Sequence, residues 1–460
     1  MQIACSTRAL RTLSIMTQPK NNPKKILILG GGFGGLTVAK SIRHPNAELL
    51  LLDKQNHHLF QPLLYQVATA SLAAPNIAQP LRTIFRDRPE VTTLMAEVQD
   101  IDLDEQTVIT KTRRIPYDYL VIALGGKTNY FGNDHWEPFA PGLKTLSDAH
   151  RIRNQVLEAY ERAENCRESE EEQQRLMTTV IVGAGPTGVE MAGTLAELSK
   201  RLFKKDFRNI HPEQSRVILL DAANRPLVAY SESVSQKARQ QLESLGVELI
   251  FEAPVMDIRE GEVELPNRTI QAGTIVWSAG VEAHKITRKL AVPKGKGERL
   301  AVQPDCSLPG YPEVFAIGDL VSLTDAKGQV VPGVAPAAIQ MANHVARIIK
   351  AELQGKTRTD ERPAFKYKDQ GSMATIGRSR AVVETGKLNM SGFPAWVTWL
   401  VIHLVLLMGM RNRLLVLLQW FFAYVRNKPG ARILWKPTPG PTVNISESKE
   451  DNISGDPTNL

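Results

Sequence analysis

The chain has 460 residues, a net charge of +8 at neutral pH, 43% hydrophobic residues and 23% charged residues. These values exclude a mainly disordered or collagen-like chain, and the length predicts two to four domains of about 100–200 residues each. The three cysteines, Cys5, Cys166 and Cys306, form no CxxC pair, which excludes a disulfide framework, a zinc finger and an iron–sulfur protein and is typical of a reducing compartment.

Residues 1–23 are basic and contain no acid, since the first carboxylate of the chain is Glu48. Arg8 and Arg11 lie in a weakly amphipathic stretch, a property of organellar targeting peptides. The alternative is that Met1 is not the true translation start and that the functional protein begins at Met16. We favour this alternative. In either case we expect residues 1–23 to be a flexible extension.

A glycine-rich turn follows the first apolar strand. Lys25–Leu29 runs into GGGFGG at residues 30–35, and a helix is predicted from Leu36 to Arg43. This strand–turn–helix context matches the G-x-G-x-x-G pattern that binds a dinucleotide pyrophosphate at a helix N-terminus. The next strand, Ala47–Leu52, ends in an acid at about the spacing expected for a ribose-binding carboxylate. The predicted ligand-binding residues here are Gly30, Gly32, Phe33, Gly34, Gly35 and Asp53.

The same pattern returns later in the chain. Thr178–Val182 leads into GAGPTG at residues 183–188, and the strand Arg216–Leu220 ends at Asp221. Two such motifs, each between a strand and a helix and each followed by a strand-end acid, predict two dinucleotides bound together. Asp221 would bind a free 2′-hydroxyl and repel a 2′-phosphate, which favours NADH over NADPH. The predicted residues here are Gly183, Gly185, Gly188 and Asp221.

Two further strands point to a flavin. Val314–Asp319 (VFAIGD) ends in Gly-Asp, and Tyr119–Gly126 (YLVIALGG) ends in a glycine pair. Together they resemble the signature of the glutathione-reductase-like flavoproteins, an α/β fold with two Rossmann-like dinucleotide-binding domains. The resemblance implies FAD in the first motif, in a domain of residues 24–150 and 290–350, with an NAD domain of residues 151–289 inserted. It adds Gly125, Gly318, Asp319 and Gly280 to the predicted cofactor-binding residues.

The electron acceptor is indicated by what replaces a cysteine pair. Residues 53–100 contain no cysteine, which excludes a dithiol relay. The stretch NHHLFQPLLYQVAT at residues 56–69 instead resembles that of type II NADH:quinone oxidoreductases, as do GPTGVEMAG at 185–193 and KYKDQGSMAT at 366–375. The neighbouring His57 and His58 do not indicate a metal site, because adjacent side chains point apart, and no metal is expected.

The resemblance implies three catalytic residues. Gln340 matches the first glutamine of the family's quinone-pocket helix, while His344 stands where the family has its second. Glu190, in the first turn of the second motif's helix, is implied to lie near the nicotinamide and flavin. The alternatives are a helix that merely packs under the flavin, and an acid favoured at a helix N-terminus.

Residues 351–436 are predicted to associate with a membrane. Residues 378–436 alone carry a net charge of +8 and hold two apolar runs, Phe393–Met410 and Leu414–Val425, with Arg411-Asn412-Arg413 between them. This combination fits an anionic membrane surface better than nucleic acid. We favour two helices lying in one leaflet over a true span, and a buried helix pair or dimer seam is the third alternative. Residues 437–460 are expected to be a disordered tail.

The sequence therefore predicts a non-proton-pumping NADH:quinone oxidoreductase that uses FAD, with NADH and a membrane quinone as substrates. We expect it on the cytoplasmic face of the cell's inner membrane rather than in an organelle, and the resemblance implies a homodimer. Two alternatives are a sulfide:quinone reductase and a membrane-bound NADH/FAD redox sensor with little turnover. The quinone type, the true start and the oligomeric state stay open.

Overall fold

The structure is a computed structural model that describes residues 23–166, 169–203, 206–386, 388–426 and 432–434. The predictions for residues 1–22 and for the tail 437–460 lie outside these ranges. The described strands, in chain order, are β1 (Lys24–Leu29), β2 (Ala47–Asp53), β3 (His57–Leu59), β4 (Ala78–Pro80), β5 (Val91–Met95), β6 (Val98–Asp102), β7 (Thr107–Thr110), β8 (Arg114–Pro116), β9 (Tyr119–Ile122), β10 (Gly126–Thr128), β11 (Thr178–Val182), β12 (Arg216–Leu220), β13 (Val247–Ile250), β14 (Asp257–Arg259), β15 (Glu262–Leu265), β16 (Arg268–Gln271), β17 (Thr274–Trp277), β18 (Val281–Ala283), β19 (Lys294–Gly295), β20 (Arg299–Ala301), β21 (Ser307–Leu308), β22 (Tyr311–Ala316), β23 (Val321–Ser322), β24 (Ser372–Gly377), β25 (Arg380–Thr385) and β26 (Leu388–Ser391). The described α-helices are α1 (Phe33–Ser41), α2 (Leu64–Ala68), α3 (Leu81–Ile84), α4 (Leu146–Asn165), α5 (Glu170–Leu176), α6 (Pro186–Leu198), α7 (Glu232–Ser244), α8 (Ala335–Leu353), α9 (Phe393–Leu406) and α10 (Met410–Arg426).

The first sheet has the strand order β21-β22-β9-β1-β2-β5, and all its neighbours are parallel except β21 with β22. Ile26–Leu29 of β1 are at most 1% exposed. A continuous apolar run of this kind is what the inner strand of a parallel sheet needs, because both of its faces are covered. The helices α1 and α8 pack against each other beside this sheet.

The second sheet is fully parallel, with the order β13-β12-β11-β17. It lies between β10 and β18 in the chain, and these two strands pair antiparallel, with Gly126 opposite Ala283. The chain therefore leaves the first unit and returns to it through one two-stranded ribbon. This architecture is the predicted pair of Rossmann-like units.

A third unit, the antiparallel sheet β24-β25-β26, packs against α9, which in turn packs against α10. It joins the second unit at Gly193 of α6, where a Cβ atom would lie 1.6 Å from the carbonyl oxygen of Ile376. Only glycine permits this backbone contact between α6 and β24.

The C-terminal helices begin and end differently from the apolar runs in the sequence. The first run stops being helical at Leu406, because Leu407 is extended and Gly409 has a φ of 85°. Arg411-Asn412-Arg413, which lies between the two apolar runs of the sequence, belongs to the first turn of α10, since this helix already begins at Met410. Arg413 instead donates to the carbonyl oxygens of Leu407 and Val405, at 2.7 and 2.6 Å, and so satisfies the end of α9.

Each of these helices has one buried and one exposed apolar face. Trp399 and His403 of α9 and Val416 and Trp420 of α10 are at most 8% exposed. The outward faces expose large apolar side chains, namely Phe393, Val397, Val401, Val405, Leu406, Met410, Leu414, Leu417, Leu418, Phe421 and Phe422. Among the described residues, neither these nor other helices have the length and hydropathy needed to cross a bilayer.

Candidate active site

Three glycines shape the turn between β1 and α1: two allow close backbone contacts and one leaves open space. Gly30 has a φ of 102°, and a Cβ atom there would lie 2.3 Å from the carbonyl oxygen of Ala123. A Cβ atom at Gly35 would lie 1.9 Å from the carbonyl oxygen of Gly30, so α1 can approach the turn only without a side chain. Gly32 has no atom within 4 Å of its Cβ position. The turn therefore presents open space at its middle glycine, where a pyrophosphate would bind.

Asp53 at the end of β2 is fixed against this turn. Its Oδ2 accepts a hydrogen bond from the amide of Gly31 at 2.6 Å, and its Oδ1 accepts from the amide of Gln55 at 2.7 Å. Behind the turn, the buried imidazole of His58 lies 2.9 Å from the carbonyl oxygen of Gly31, and burial lowers the pKa of His58 to about 4. His58 thus supports the loop as a neutral side chain, a role that the sequence alone did not indicate.

The turn between β11 and α6 repeats the first one closely. Gly183 has a φ of 103° and its Cβ position lies 2.6 Å from the amide nitrogen of Ala279, while that of Gly188 lies 1.9 Å from the carbonyl oxygen of Gly183. Gly185, like Gly32, has no atom within 4 Å of its Cβ position.

Asp221 is placed as Asp53 is. Its Oδ2 accepts from the amide of Ala184 at 2.6 Å, and its Oδ1 accepts from the amide of Ala223 at 2.8 Å. The structure therefore contains two turns of the same design, each with an acid beside it, and the residues present fit two dinucleotides.

Two residues of the first motif have packing contacts of their own. The ring of Phe33 meets those of His58 and Phe60 edge to face, with centroids 5.2 and 5.8 Å apart. A Cβ atom at Gly34 would lie 3.0 Å from Cδ1 of Ile317, so any larger residue would require the Ile317 side chain to shift. Gly34 thus lets α1 approach the strand end at Ile317.

The glycines after β9 and β22 lie at the carboxyl ends of adjacent parallel strands. Gly125 and Gly318 have φ values of 68° and 83°. Asp319 faces the ammonium of Lys144, with Nζ and Oδ2 4.0 Å apart. Burial lowers the pKa of Lys144 while Asp319 raises it. Lys144 was missed by the sequence analysis, because nothing near it in the chain indicates this distant partner.

Glu190 is a buried acid on α6, with 9% of the residue exposed. Its Oε1 accepts from the amide of Thr375 at 3.4 Å. Burial raises the pKa of Glu190 to about 8 against the opposing effect of this hydrogen bond. The indole N–H of Trp399 also favours the charged form, although the two groups form no hydrogen bond. Glu190 is therefore mostly protonated at neutral pH and lies where α6, β24 and α9 meet.

Gln340 and His344 lie on one face of α8 beneath residues 363–368. The Gln340 amide donates to the carbonyl oxygen of Lys368 at 2.9 Å and accepts from its amide at 3.0 Å. The imidazole of His344 is 4% exposed and meets the Phe365 ring edge to face at 5.5 Å. Burial lowers the pKa of His344. These contacts favour a packing role for His344 over a quinone contact, whereas one N–H of Gln340 stays free for a ligand.

An aromatic cluster connects the first turn with the C-terminal helices. Phe60, which contacts Phe33, meets His403 with centroids 6.3 Å apart, and Trp399 meets Trp420 at 5.9 Å. The indole N–H of Trp420 donates to Oε1 of Gln66 at 2.8 Å. The motif at residues 56–69 therefore forms the contact between the first unit and α9 and α10.

The chain matches the family model of the pyridine nucleotide-disulphide oxidoreductases over residues 24–342, and that of the NDH2 C-terminal domain over residues 370–426. The first match covers both dinucleotide turns. The fold and the site thus define a flavoprotein-type oxidoreductase with two dinucleotide-binding units and a C-terminal extension.

The relatives narrow this class. The chain is 41% identical to the type II NADH:quinone oxidoreductase Ndh of Mycobacterium tuberculosis over 434 residues, which cover 91% of this chain and 92% of that one. It belongs to the type II NADH:quinone oxidoreductases, a family of FAD-dependent enzymes. The predictions of fold class, family and enzymatic activity from the sequence are confirmed.

Solved structures agree with this fold. NDH2 from Plasmodium falciparum, solved in complex with RYL-552, superposes with a TM-score of 0.82 at 19% identity, covering 90% of this chain and all of that one. The sulfide:quinone oxidoreductase of Aquifex aeolicus superposes with a TM-score of 0.68 at 18% identity, covering 85% of this chain and 92% of that one. At these identities both comparisons concern the fold alone.

Proposed function

We propose that this enzyme oxidises NADH with bound FAD and reduces a quinone dissolved in the membrane, without pumping protons. The main support for the proposal is that the turns at Gly30–Gly35 and Gly183–Gly188 have the same geometry, in a chain of this family. When bound, FAD supplies the redox chemistry, by accepting a hydride from NADH and passing two electrons to the quinone. The protein supplies binding, orientation and a proton-holding group.

We assign FAD to the first turn and NADH to the second. The open sides of Gly32 and Gly185 leave the turn amides free for a pyrophosphate, and the N-termini of α1 and α6 favour its negative charge. Asp53 and Asp221 stand where each adenosine ribose would lie. The corresponding domains are residues 24–150 and 290–350 for FAD and 151–289 for NADH.

We assign the flavin end of FAD to the strand ends at Gly125, Gly318 and Asp319. The ammonium of Lys144, 4.0 Å from Oδ2 of Asp319, helps to orient this carboxylate. The helix α8 begins at Ala335. The Cβ position of Gly318 lies 3.4 Å from Cβ of Ala338, which is in the first turn of α8. A helix N-terminus at this point stabilises negative charge, and Gln340 can donate its remaining N–H to a quinone carbonyl.

We propose that Glu190 holds a proton for the reduced quinone. A protonated carboxyl in a buried site can donate, and burial keeps Glu190 in that form at neutral pH. Glu190 lies on the side of α6 that faces α9, and therefore between the unit that we assign to NADH and the apolar helices.

Enzymes of this family are peripheral membrane proteins. We propose that residues 378–436 attach this chain to the cytoplasmic face of the inner membrane. The exposed apolar faces of α9 and α10 would enter the headgroup region, and the basic residues among them would contact anionic lipids. The family resemblance also supports a homodimer through the C-terminal region, which light scattering in detergent would test.

The two alternative functions are not favoured. Cys306 is fully buried and burial raises the pKa of its thiol, which makes it a poor nucleophile. Cys166 lies at the far end of α4. A sensor without turnover would bind the same two dinucleotides, so only a rate distinguishes it from an enzyme.

The direct test is to purify the protein from membranes, record its absorption spectrum and follow NADH oxidation with and without a soluble quinone analogue. We expect a flavin spectrum and rapid, quinone-dependent loss of NADH. A colourless protein, or NADH loss that does not respond to the quinone, would contradict the proposal. Replacing NADH by sulfide in the same assay separates the sulfide:quinone reductase alternative.

A further inference from the structure

Phe131 is an exposed aromatic residue in a backbone conformation that non-glycine residues rarely adopt. Its φ is 54°, and 64% of the residue is accessible to solvent. Along the ranges that the structure describes, it is the one aromatic residue with a positive φ. A bulky side chain in the left-handed region is kept there only when its surroundings enforce it, and such positions cluster at functional sites.

The surroundings that enforce it are Asn129 and Trp277. The side-chain oxygen of Asn129 accepts from the Phe131 amide at 2.7 Å, and its carbonyl oxygen accepts from the Trp277 indole N–H at 2.9 Å. The Phe131 ring meets the Trp277 ring at 61°, with centroids 6.4 Å apart. One side of the Phe131 ring is therefore fixed against the protein and the rest is open to solvent.

The tip of the ring lies against Gly280. A Cβ atom at Gly280 would be 2.7 Å from Cζ of Phe131, so the glycine is required for this approach. Gly280 follows Ala279, whose backbone nitrogen is the close neighbour of Gly183 in the second turn. Phe131 thus contacts Gly280, and the preceding residue, Ala279, contacts Gly183 of the second turn.

The strand order tells which half of NADH reaches this point. In the order β13-β12-β11-β17, a dinucleotide lies across the carboxyl ends of the strands, over the crevice between β11 and β17. Asp221 at the end of β12 takes the adenosine ribose on one side of the turn. The nicotinamide half must then extend the other way, toward Gly280 and Phe131.

We infer that Phe131 is a substrate-binding residue that packs its open ring face against the nicotinamide half of NADH. The inference rests on the proposed function. An aromatic contact of this kind corresponds to about 2- to 12-fold in affinity. Because the contacts with Trp277 and Gly280 already hold the ring in place, little side-chain entropy is lost on binding.

The test is anaerobic stopped-flow reduction of the enzyme-bound flavin by NADH, which yields a Kd for NADH and a limiting rate. The variants are Phe131→Ala and Phe131→Gly; the second accepts the positive φ and so separates ring loss from backbone strain. The matched control is Phe139→Ala, which removes another exposed ring (37%) from the same loop. A Phe131→Tyr variant keeps the aromatic contact.

We expect a Kd for NADH about 2- to 12-fold higher in Phe131→Ala and Phe131→Gly, with flavin content unchanged and Phe139→Ala and Phe131→Tyr like the wild type. A wild-type Kd in both the alanine and the glycine variant would overturn the inference and leave the proposed function standing. A wild-type enzyme whose flavin NADH fails to reduce would overturn the proposed function, and the inference with it.

Discussion

The rings of Trp399 and His403, one turn apart on α9, stack with their centroids 4.0 Å apart and their planes at 23°. The His403 imidazole nitrogen Nδ1 lies 2.8 Å from the carbonyl oxygen of Trp399. Burial lowers the pKa of His403 to about 4, against the opposing effect of this contact. His403 is therefore neutral at physiological pH and serves as one more aromatic ring under the C-terminal helices.

The first prediction concerns acid stability. The unfolded chain protonates His403 near its ordinary pKa of about 6.5, whereas the folded chain resists protonation down to about 4, so lowering the pH through this window favours unfolding. We expect His403→Phe to lose less thermal stability than the wild type between pH 7 and pH 5. Differential scanning fluorimetry measures this. His211→Phe, at an exposed histidine, is the control and should follow the wild type; parallel curves for all three proteins would contradict the prediction.

The second prediction concerns Glu190, whose shift has the opposite sign. Between the ordinary pKa and about 8 the folded chain retains a proton that the unfolded chain has lost, so rising pH destabilises the fold. We expect Glu190→Gln, a neutral side chain of the same shape, to melt above the wild type at pH 9 and close to it near pH 5.

The same variant separates the two roles of Glu190. If the carboxyl supplies a proton to quinone, Glu190→Gln slows quinone-linked turnover by about 10²- to 10⁴-fold, the usual contribution of a general acid. Flavin reduction by NADH under anaerobic conditions should keep its rate. Wild-type turnover would show that Glu190 takes no part in proton transfer and is only a buried, protonated side chain of the interior.

The third prediction uses the two open glycines. Because the Cβ positions of Gly32 and Gly185 contact nothing, alanine there is compatible with the fold but would enter the space that we assign to a pyrophosphate. We expect Gly32→Ala to be isolated with little flavin. Gly185→Ala should retain flavin and require more NADH, with a KM raised about tenfold or more.

Absorbance at the flavin band and steady-state kinetics measure these outcomes. Gly310→Ala is a less strict control, because its Cβ position is also open but its φ is 85°. If both open-glycine variants lost flavin alike, the assignment of one dinucleotide to each turn would be wrong.

The fourth prediction concerns the exposed face of α9 and α10. Under the proposed membrane attachment, a negative charge on this face reduces the apolar area that enters the lipid and adds repulsion from anionic headgroups. We expect Val401→Glu and Leu418→Glu to reduce co-sedimentation with vesicles that contain anionic lipid. Met256→Glu, at an equally exposed apolar residue in the second unit, should bind like the wild type. Retained binding of both helix variants would place the membrane contact elsewhere.

Much of this fold was accessible from the sequence because its signals are local. Each glycine turn lies directly between a strand and a helix, and the observed β1, β2, β11 and β12 lie within one residue of the predicted ends. The helix starts were placed three residues too late, at Leu36 and Val189, because α1 and α6 begin inside the glycine turns at Phe33 and Pro186.

The contacts between distant segments were not accessible. The pairing of Lys144 with Asp319, the position of Trp399 beside Glu190 and the hydrogen bonds of Gln340 to Lys368 each join residues that are far apart in the chain, and the last two pairs also join different units. Such contacts depend on how the units pack, and no spacing in the chain encodes them. His344 illustrates the result: its place in a family motif suggested a ligand, whereas its neighbours make it part of the interior.

Gly193 sets the spacing between α6 of the second unit and β24, a strand of the sheet against which α9 packs. Since the backbones of α6 and β24 are in direct contact at this point, no flexible side chain lies between them that could absorb a displacement of α6. The distance between the second and the third unit is therefore fixed by main-chain atoms at this point rather than by side-chain packing. Gly193→Ala would place a methyl group 1.6 Å from the carbonyl oxygen of Ile376, so α6 and β24 would have to separate there, and α9 would be displaced with the sheet on which it packs.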